Sequence, residues 1–386
     1  MARRYTLVHM LQVFCSPSRY TQGKNATAQL GEEIRKLGLE GPALIIAGRS
    51  AVSLLSAVWK TSLGNAGIAY TVLPFGGECS ASEIERGNAA ARTIGAHIIV
   101  GAGGGKVLDT ARGVASDLSL PVVNCPTIAS SDAPCSALSV VYTDKGVFEQ
   151  YRIYRRNPDL VLVDTDVIAK SPARFLTAGM GDALATWFEA KACAASGVKN
   201  MRGGASTISA LALAELCYKT LLADGAAALD ALAAREGTPA LERLVEANTL
   251  LSGLGFESSG LAAAHAIHNG LTTIAETHPY MHGEKVAFGV LAQLMLESQR
   301  QSVIEEVLSF SASVGLPLTF ADIGMRDPEP DTLEQIARRS TAVGETIHNE
   351  PFPVSSKAVV EALKAANSAG EQFQRSRSRM SHRASD

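Results

Sequence analysis

The sequence predicts an α/β domain built on a parallel sheet, followed by an all-helical domain. Over the first 170 or so residues, short apolar runs alternate with helix-length segments. After "SPAR" (171–174) the chain becomes rich in Ala, Leu and Glu at helical spacing, with few strand signals. We therefore place an α/β domain at residues 1–171 and a helical domain at residues 172–386, a division for which the chain is long enough.

Five apolar runs predict the strands of the sheet. They are "ALIIAG" (43–48), "AYTVLPF" (69–75), "HIIVGAGGGK" (97–106), "PVVNCPT" (121–127) and "LVLVD" (160–164). Helical segments such as Val107–Leu118 separate them, as βαβ units with parallel strands require. Before the last run, "LSVVYT" and "FEQYRIY" flank Asp144, Lys145 and Gly146, which predicts a hairpin inserted in that sheet.

The second half predicts helices, as in "STISALALAELCYKTLLADGAAALDALAAREG". The basic, polar tail from about residue 372 is expected to be frayed and disordered. A net charge of −3 argues against a nucleic-acid partner, and no run reaches the ~18 apolar residues of a membrane span. The six scattered cysteines indicate reduced thiols, and His9 and Gln12 interrupt the leader-like start. We expect a cytoplasmic protein.

A glycine-rich segment, "GAGGGKVLDTAR" (101–112), connects a predicted strand to a predicted helix. Glycines there let the backbone approach a phosphate closely, and the N–H groups at a helix start favour an anion. The segment matches neither the G-x-G-x-x-G fingerprint nor a Walker A loop, and tight turns need glycine anyway. Pyrophosphate binding and a simple tight turn both remain open from these residues alone.

Asp182, in "AGMGDALATWFEA" (178–190), lies just inside a predicted helix opening, with Thr186 one turn later on the same face. An aspartate at that position commonly caps the helix or complements its dipole. It can also supply an oxygen ligand to a metal ion.

Four of the eight histidines lie between residues 265 and 282. His265 and His268 are spaced i and i+3 in an Ala-rich helix, whereas His278 and His282 follow a polar linker and Gly283 marks a loop. Packed core histidines and a solvated loop are the ordinary interpretations. Two imidazoles from a helix and a loop plus one carboxylate would instead match the three-ligand set of a catalytic zinc site.

Taken together, these segments resemble the glycerol dehydrogenases of the iron-containing type of metal-dependent alcohol dehydrogenases. The resemblance runs from about residue 16 to residue 349. It includes "PFGGECS" (74–80), "GGGKVLDTA" (103–111), "PTIASSDAPCSALSVVYT" (126–143), "NPDLVLVDT" (157–165), "AGMGDALATWFEA" (178–190) and "GFESSGLAAAHAIHNGLT" (255–272). It implies the two-domain architecture shared with dehydroquinate synthases, a homo-oligomer, and a site between the domains.

The resemblance implies that Asp182, His265 and His282 hold the metal ion and contact the substrate. Members that use iron carry a further histidine where this chain has Thr186, so three protein ligands favour zinc. Asp132 matches the aspartate that contacts glycerol, and His268 is a candidate proton-handling group. His278 is expected to be a loop residue.

The dinucleotide contacts that the resemblance implies fall in two regions of the α/β domain. They are Gly48, Gly103, Gly104, Gly105, Lys106, Val107, Leu108, Asp109, Thr127, Ile128, Ala129, Ser130, Ser136, Leu138 and Tyr142. Many members carry an acidic residue where this chain has Gly48, followed by Arg49. An acidic group excludes a 2′-phosphate and an arginine accepts one, so NAD is the expected cofactor and NADP is not excluded.

The reaction implied is the reversible oxidation of glycerol to dihydroxyacetone, with hydride transfer to NAD at a zinc site. A related dehydrogenase acting on another diol, a hydroxyketone or an amino alcohol is the first alternative. A dehydroquinate synthase-like lyase is a remote one, because its phosphorylated acid substrate would call for a cluster of Lys or Arg, and the matching segments offer only Lys106 and Lys285.

Overall fold

The computed structural model describes residues 10–383, with side chains described through residue 379. The first nine residues, on which the expectation about a leader partly rests, lie outside this range, as do the last three. Within the described residues, none of the helices combines the length and the apolar character that crossing a membrane would need.

Eight strands lie between residues 20 and 164. They are β1 (Tyr20–Gly23), β2 (Ala43–Ala47), β3 (Tyr70–Pro74), β4 (Ile98–Gly103), β5 (Val122–Pro126), β6 (Leu138–Tyr142), β7 (Phe148–Ile153) and β8 (Leu160–Asp164). Six of them form one parallel sheet in the order β1-β8-β5-β4-β2-β3. Strands β2, β4, β5 and β8 are buried throughout. Their continuous apolar runs are typical of a sheet covered on both faces.

Helices accompany the sheet as the alternating pattern predicts. They are α1 (Leu30–Lys36), α2 (Arg49–Asn65), α3 (Ala81–Ile94), α4 (Gly105–Leu118) and α5 (Thr165–Ile168). Leu44 and Ile46 of β2 pack with Val107 and Val114 of α4 on one face of the sheet. Trp59 of α2 lies in a second cluster, with the alternate strand residues on the other face. The sheet is therefore a middle layer between helices.

Two strand predictions need correction. The hairpin β6–β7 does not extend the main sheet but forms a two-stranded antiparallel sheet of its own, held beside α4. Val140 donates a backbone hydrogen bond to the Asp109 carboxylate, and the Ser139 hydroxyl donates to the Asp109 carbonyl. The edge strand Tyr20–Gly23 was missed, because "YTQG" contains no apolar run and its four residues are only half-buried.

The remainder is helical: α6 (Ala173–Ser196), α7 (Ile208–Ala234), α8 (Pro239–Glu246), α9 (Ser252–Ser259), α10 (Ala263–Leu271), α11 (His282–Leu296), α12 (Gln301–Val314), α13 (Pro330–Ser340) and α14 (Ser356–Arg383). A π-helical turn, Ala247–Leu251, joins α8 to α9. The predicted fold class is confirmed: within residues 10–383, every strand lies before residue 165 and helices follow it. The boundary at residues 171/172, between α5 and α6, stays a prediction.

The expected frayed tail is instead helical through Arg383, because α14 continues past residue 372. Phe373 packs against the helical core, and Gln374 donates a hydrogen bond to the Asp322 carboxylate at 3.0 Å. The ion pair between Arg375 and Glu371, at 3.5 Å, adds an i,i+4 contact. All six cysteines are unpaired, and five of them are buried, as the sequence predicts.

Candidate metal centre and cofactor cleft

Asp182, His265 and His282 lie together although they are far apart in sequence. Asp182 Oδ1 is 3.4 Å from His265 Nε2 and 3.1 Å from His282 Nε2, and one ligand atom from each residue lies within 4.8 Å of the others. Among the described residues this is the one group of three that could hold a metal ion. Ligands about 2.1 Å from a tetrahedral ion stand roughly 3.4 Å apart, which is close to the two distances from Asp182 to the histidines.

Helix α6 places Asp182 in its interior, nine residues after its start at Ala173, and not at a helix opening. The capping and helix-dipole interpretations of Asp182 are therefore wrong. Gly179 and Gly181, which precede Asp182, lie inside α6 and do not mark its start. Their lack of a side chain permits other parts of the backbone to pack closely against the helix. A Cβ on Gly179 would lie 2.0 Å from the Ala129 carbonyl oxygen, so the 127–132 loop rests directly on α6.

His282 is the first residue of α11, and Gly283 is in the first turn of that helix and not in a loop. A Cβ on Gly283 would lie only 1.8 Å from the carbonyl oxygen of Ala178, in α6. The absence of a side chain thus lets α11 cross α6 at backbone contact. That crossing brings His282 beside Asp182, and the His282 side chain remains 44% exposed, so the centre of the triad is reachable from solvent.

His265 lies in the first turn of α10, and a buried residue that the sequence analysis missed holds it. Glu189 Oε2 is 2.6 Å from His265 Nδ1, while Glu189 Oε1 accepts the backbone N–H groups of Ala262 and His265. Glu189 follows Asp182 by seven residues, or two turns, on the same face of α6. That spacing of the two acidic residues of α6 was the available signal.

His282 has a different neighbour on its other ring nitrogen. His282 Nδ1 is 2.9 Å from His268 Nε2, and His268 Nδ1 is 3.1 Å from the Asn269 side-chain oxygen. The Asn269 amide in turn donates to Glu345 at 3.0 Å. If His282 Nδ1 donates to His268 Nε2, then His268 Nδ1 donates to the Asn269 oxygen, and each of these hydrogen bonds has one donor and one acceptor. His268 thus supports the ring of His282, and its role in proton handling stays a prediction.

His278 is exposed and lies outside the site, as expected. Its Nε2 atom is 3.1 Å from the carbonyl oxygen of Thr272.

The electrostatics of the triad favour positive charge at its centre. Burial alone would raise the pKa of Asp182, but the charge of His282 and the hydrogen bonds from both histidines outweigh burial and lower it. Burial likewise disfavours the charged form of His265, yet Glu189 and Asp182 raise its pKa well above the ordinary value. Burial and then the charge of His282 lower the pKa of His268 well below its usual range. A neutral His268 suits its position as hydrogen-bond acceptor.

Asp132 reaches the triad from the α/β domain. Its backbone N–H donates to Asp182 Oδ2 at 3.2 Å, and its carboxylate accepts a hydrogen bond from the Ser252 hydroxyl at 3.1 Å. Ser252, which the sequence analysis missed, in turn accepts one from Thr186 at 2.8 Å. Thr186 therefore orients Asp132 through Ser252. Burial and then the charge of Asp182 raise the pKa of Asp132 well above its ordinary value.

The glycine loop lies at the point where the strand order reverses. Strand β2 connects through α2 to its neighbour β3 on one side, whereas β4 connects through α4 to β5 on the other. Parallel sheets bind ligands in the crevice that such a reversal opens at the carboxyl ends of the strands. Gly48 directly follows β2 there, with its N–H bonded to the Ala102 carbonyl, and Gly104 precedes α4. A Cβ on Gly104 would lie 2.9 Å from Ile128.

The structure separates the expected cofactor contacts into those that face this crevice and those that do not. Gly105 and Thr127 border the loop, and Lys106 lies over the Tyr142 ring, with its ammonium 2.6 Å from Glu78. Four others are buried: Val107, Leu108, Ala129 and Ser136. Asp109 is buried too, and its carboxylate binds Arg112 and the backbone of Val140. The Asp109 side chain therefore holds the hairpin in place.

The chain matches known proteins along most of its length. Residues 17–165 match the family model of iron-containing alcohol dehydrogenases. A glycerol dehydrogenase of Thermotoga maritima is 52% identical over 94% of this chain and 98% of its own length. A glycolaldehyde reductase of Halobacterium salinarum is 48% identical, with 94% and 98% coverage.

A solved structure of a glycerol dehydrogenase shares the fold of this chain. The crystal structure of glycerol dehydrogenase from Schizosaccharomyces pombe superposes with a TM-score of 0.92 at 37% identity, covering 96% of this chain and 93% of that one. Identity at this level over nearly the whole chain leaves no other fold or family in competition. The chain therefore belongs to the iron-containing alcohol dehydrogenase family and is an oxidoreductase that acts on alcohols.

Proposed function

We propose that this protein is a glycerol dehydrogenase that oxidises glycerol reversibly to dihydroxyacetone with NAD, using a divalent metal ion held by Asp182, His265 and His282. The observation that carries the proposal is the convergence of these three side chains beside Asp132, at the contact between the α/β and helical parts. Similarity to glycerol dehydrogenases at about half identity supports the substrate class.

The donor set suits zinc. One carboxylate and two imidazoles are the borderline ligands that zinc accepts, and three of them leave a position for substrate. Thr186 stands one turn after Asp182, where iron-using members carry a histidine, and its hydroxyl bonds to Ser252. When bound, the metal ion supplies Lewis-acid polarisation of the hydroxyl to be oxidised.

The residues of the chain position the reactants. Asp182, His265 and His282 define one end of the site, and Asp132 lies next to it with an oxygen available to the remaining hydroxyls of a polyol. The glycine loop and the start of α4 offer backbone N–H groups to the pyrophosphate of the dinucleotide. Holding both partners in this way converts a bimolecular hydride transfer into a nearly unimolecular one.

The lyase alternative finds no support in the positions of the two lysines. Lys106 pairs with Glu78, and the buried Lys285 donates to the Thr277 carbonyl at 3.5 Å. A phosphorylated acid would need cations that are free to bind it. Reduction of glycolaldehyde, the activity named for one relative, uses the same site and is the closer competitor.

Initial rates with glycerol, propane-1,2-diol, propan-1-ol and, in the reverse direction, glycolaldehyde test the proposal. We expect the two polyols to exceed propan-1-ol in kcat/KM by about 3- to 10-fold, because a hydrogen bond to the carboxyl group of Asp132 contributes about 0.5–1.5 kcal/mol. Equal turnover of propan-1-ol and glycerol would contradict a role for Asp132. Glycolaldehyde reduction that greatly exceeds dihydroxyacetone reduction would move the assignment to that substrate.

Cofactor preference depends on Gly48 and Arg49, beside the glycine loop. Gly48 occupies the position from which an acidic residue would meet the adenosine ribose, and Arg49 is exposed directly after it, at the first position of α2. We propose that NAD is the cofactor and that NADP is tolerated, because no carboxylate at position 48 repels a 2′-phosphate.

Gly48→Asp should raise the preference for NAD over NADP, measured as the ratio of kcat/KM values, by about tenfold or more, since like charges in contact cost over 1.4 kcal/mol. The backbone accepts the change, because Gly48 has ordinary angles (φ −63°, ψ 151°) and its nearest neighbour would be 3.9 Å from the new Cβ. Gly48→Asn, which has the same shape without the charge, is the control. An unchanged ratio in Gly48→Asp would refute the role of this position.

We also propose that the protein is a homo-oligomer, as the family resemblance implies, and cytoplasmic, as the cysteine pattern and the interrupted leader-like start indicate. Light scattering of the purified protein measures the assembly directly.

A further inference from the structure

Glu189 has more contacts than a capping residue needs. It is fully buried on α6, and its two carboxylate oxygens serve different partners. Oε1 accepts the backbone N–H groups of Ala262 and His265, each at 2.9 Å, while Oε2 lies 2.6 Å from His265 Nδ1. One side chain thus fixes both the first turn of α10 and the imidazole that this turn carries.

The arrangement determines which nitrogen of His265 carries hydrogen. A carboxylate oxygen only accepts hydrogen bonds, so the short contact requires the proton on Nδ1. In the neutral form of His265, which a metal ion requires, the lone pair is then on Nε2, the atom 3.4 Å from Asp182 Oδ1. A histidine must present an unprotonated nitrogen to a metal ion, and this is the nitrogen that faces the triad.

Capping alone does not explain Glu189, because its neighbours cap the same helix without touching His265. The Ala263 N–H donates to Glu350 Oε1 at 3.2 Å, and the Ala264 N–H donates to the Gln293 side-chain oxygen at 3.0 Å. Glu189 differs from these two residues in its second oxygen, Oε2, which also bonds to the imidazole ring of His265.

We propose that Glu189 is a positioning residue that sets the ring orientation and tautomer of His265 for metal binding. The inference rests on the proposed function, because it assumes that His265 is a metal ligand. His282 receives neutral support from His268, so His265 is the imidazole whose basicity a carboxylate increases.

Glu189→Gln tests the tautomer with almost no change in shape. The glutamine oxygen can still accept the two backbone N–H groups, but its amide then donates to Nδ1 and forces the proton onto Nε2. The flipped amide would instead point its hydrogens at the two backbone donors. Either arrangement opposes metal binding, and we expect the affinity for Zn²⁺ to fall by about 10- to 100-fold.

The measurement is Zn²⁺ binding to metal-free protein, by competition with a chromophoric chelator, together with the melting temperature of the metal-free protein. Glu350→Gln is the matched control, because it makes the same change at the same helix terminus away from His265. We expect Glu350→Gln to bind Zn²⁺ like the parent and both variants to melt within a few degrees of it. If Glu189→Gln does not fold, Glu189→Asp replaces it, since the shorter carboxylate cannot span all three donors.

Parental Zn²⁺ affinity in the Glu189 variant would overturn the inference. An equal loss in both variants would also overturn it, by reducing Glu189 to a helix cap. Failure of the parent protein to bind Zn²⁺ would instead remove the proposed function itself, so the two failures are distinguishable without any turnover assay.

Discussion

His265→Ala is expected to reduce kcat/KM for glycerol by about 1,000-fold or more while leaving dinucleotide binding nearly unchanged. The substitution removes one of three metal ligands, and the Lewis-acid contribution of a metal ion is worth several kcal/mol of transition-state stabilisation. The dinucleotide crevice lies at the ends of β2 and β4, on other elements of the fold. Steady-state kinetics and a fluorescence titration with NADH measure the two effects separately.

His278→Ala is the matched control for this substitution. His278 belongs to the same histidine-rich segment but is exposed, and its ring contacts the Thr272 carbonyl. We expect its kinetics to equal those of the parent. Full activity in a His265→Ala protein that contains no metal would refute the ligand assignment, and a loss of NADH binding as large as the loss of turnover would indicate misfolding.

Gly283→Ala is expected to destabilise the fold by about 3 kcal/mol and to weaken metal binding with it. A Cβ there would be 1.8 Å from the Ala178 carbonyl and 3.0 Å from the Asp182 backbone nitrogen, so a helix must move. Overpacking of this kind costs about 1–3 kcal/mol, and a contact with backbone belongs at the upper end. Because His282 precedes Gly283, the same movement separates His282 from Asp182.

Gly64→Ala, in α2, is the control for the glycine substitution. A Cβ at that position meets nothing within 4 Å. We expect a change between about zero and 1 kcal/mol in the stabilising direction, because alanine is the better helix former. Urea unfolding of both variants gives the free energies. Parental stability in Gly283→Ala would show that the α6–α11 contact is looser than the structure has it.

The fold class and the convergence of Asp182, His265 and His282 could be predicted from the sequence, whereas the residues that support these three could not. Continuous apolar runs predict buried strands such as β4. The resemblance of the motifs to a known family identified Asp182, His265 and His282. The spacing of Glu189 from Asp182 places both on one face of a helix, but it does not reveal the contact of Glu189 with His265, 76 positions away. Ser252 contacts Asp132 across 120 positions, and no local pattern encodes that contact.

Glycine was the main source of local error. In "AGMGD" and "HGEK" it suggested a helix start and a loop, as its propensity favours, yet Gly179 and Gly283 are helical. Tertiary packing decides such cases, because a glycine in a helix permits another backbone to approach. The hairpin was predicted correctly as a hairpin, but its pairing into a separate sheet depends on contacts with Asp109 that only the structure reveals.

Reconstitution of chelator-treated protein tests the central claim most directly. Zn²⁺ is added in fractions of an equivalent, and glycerol oxidation is measured at each step beside the bound metal. A single site at Asp182, His265 and His282 predicts no activity at the start and a linear rise that ends at one ion per chain. Full activity before any metal is added, or activity unrelated to the metal bound, would contradict it.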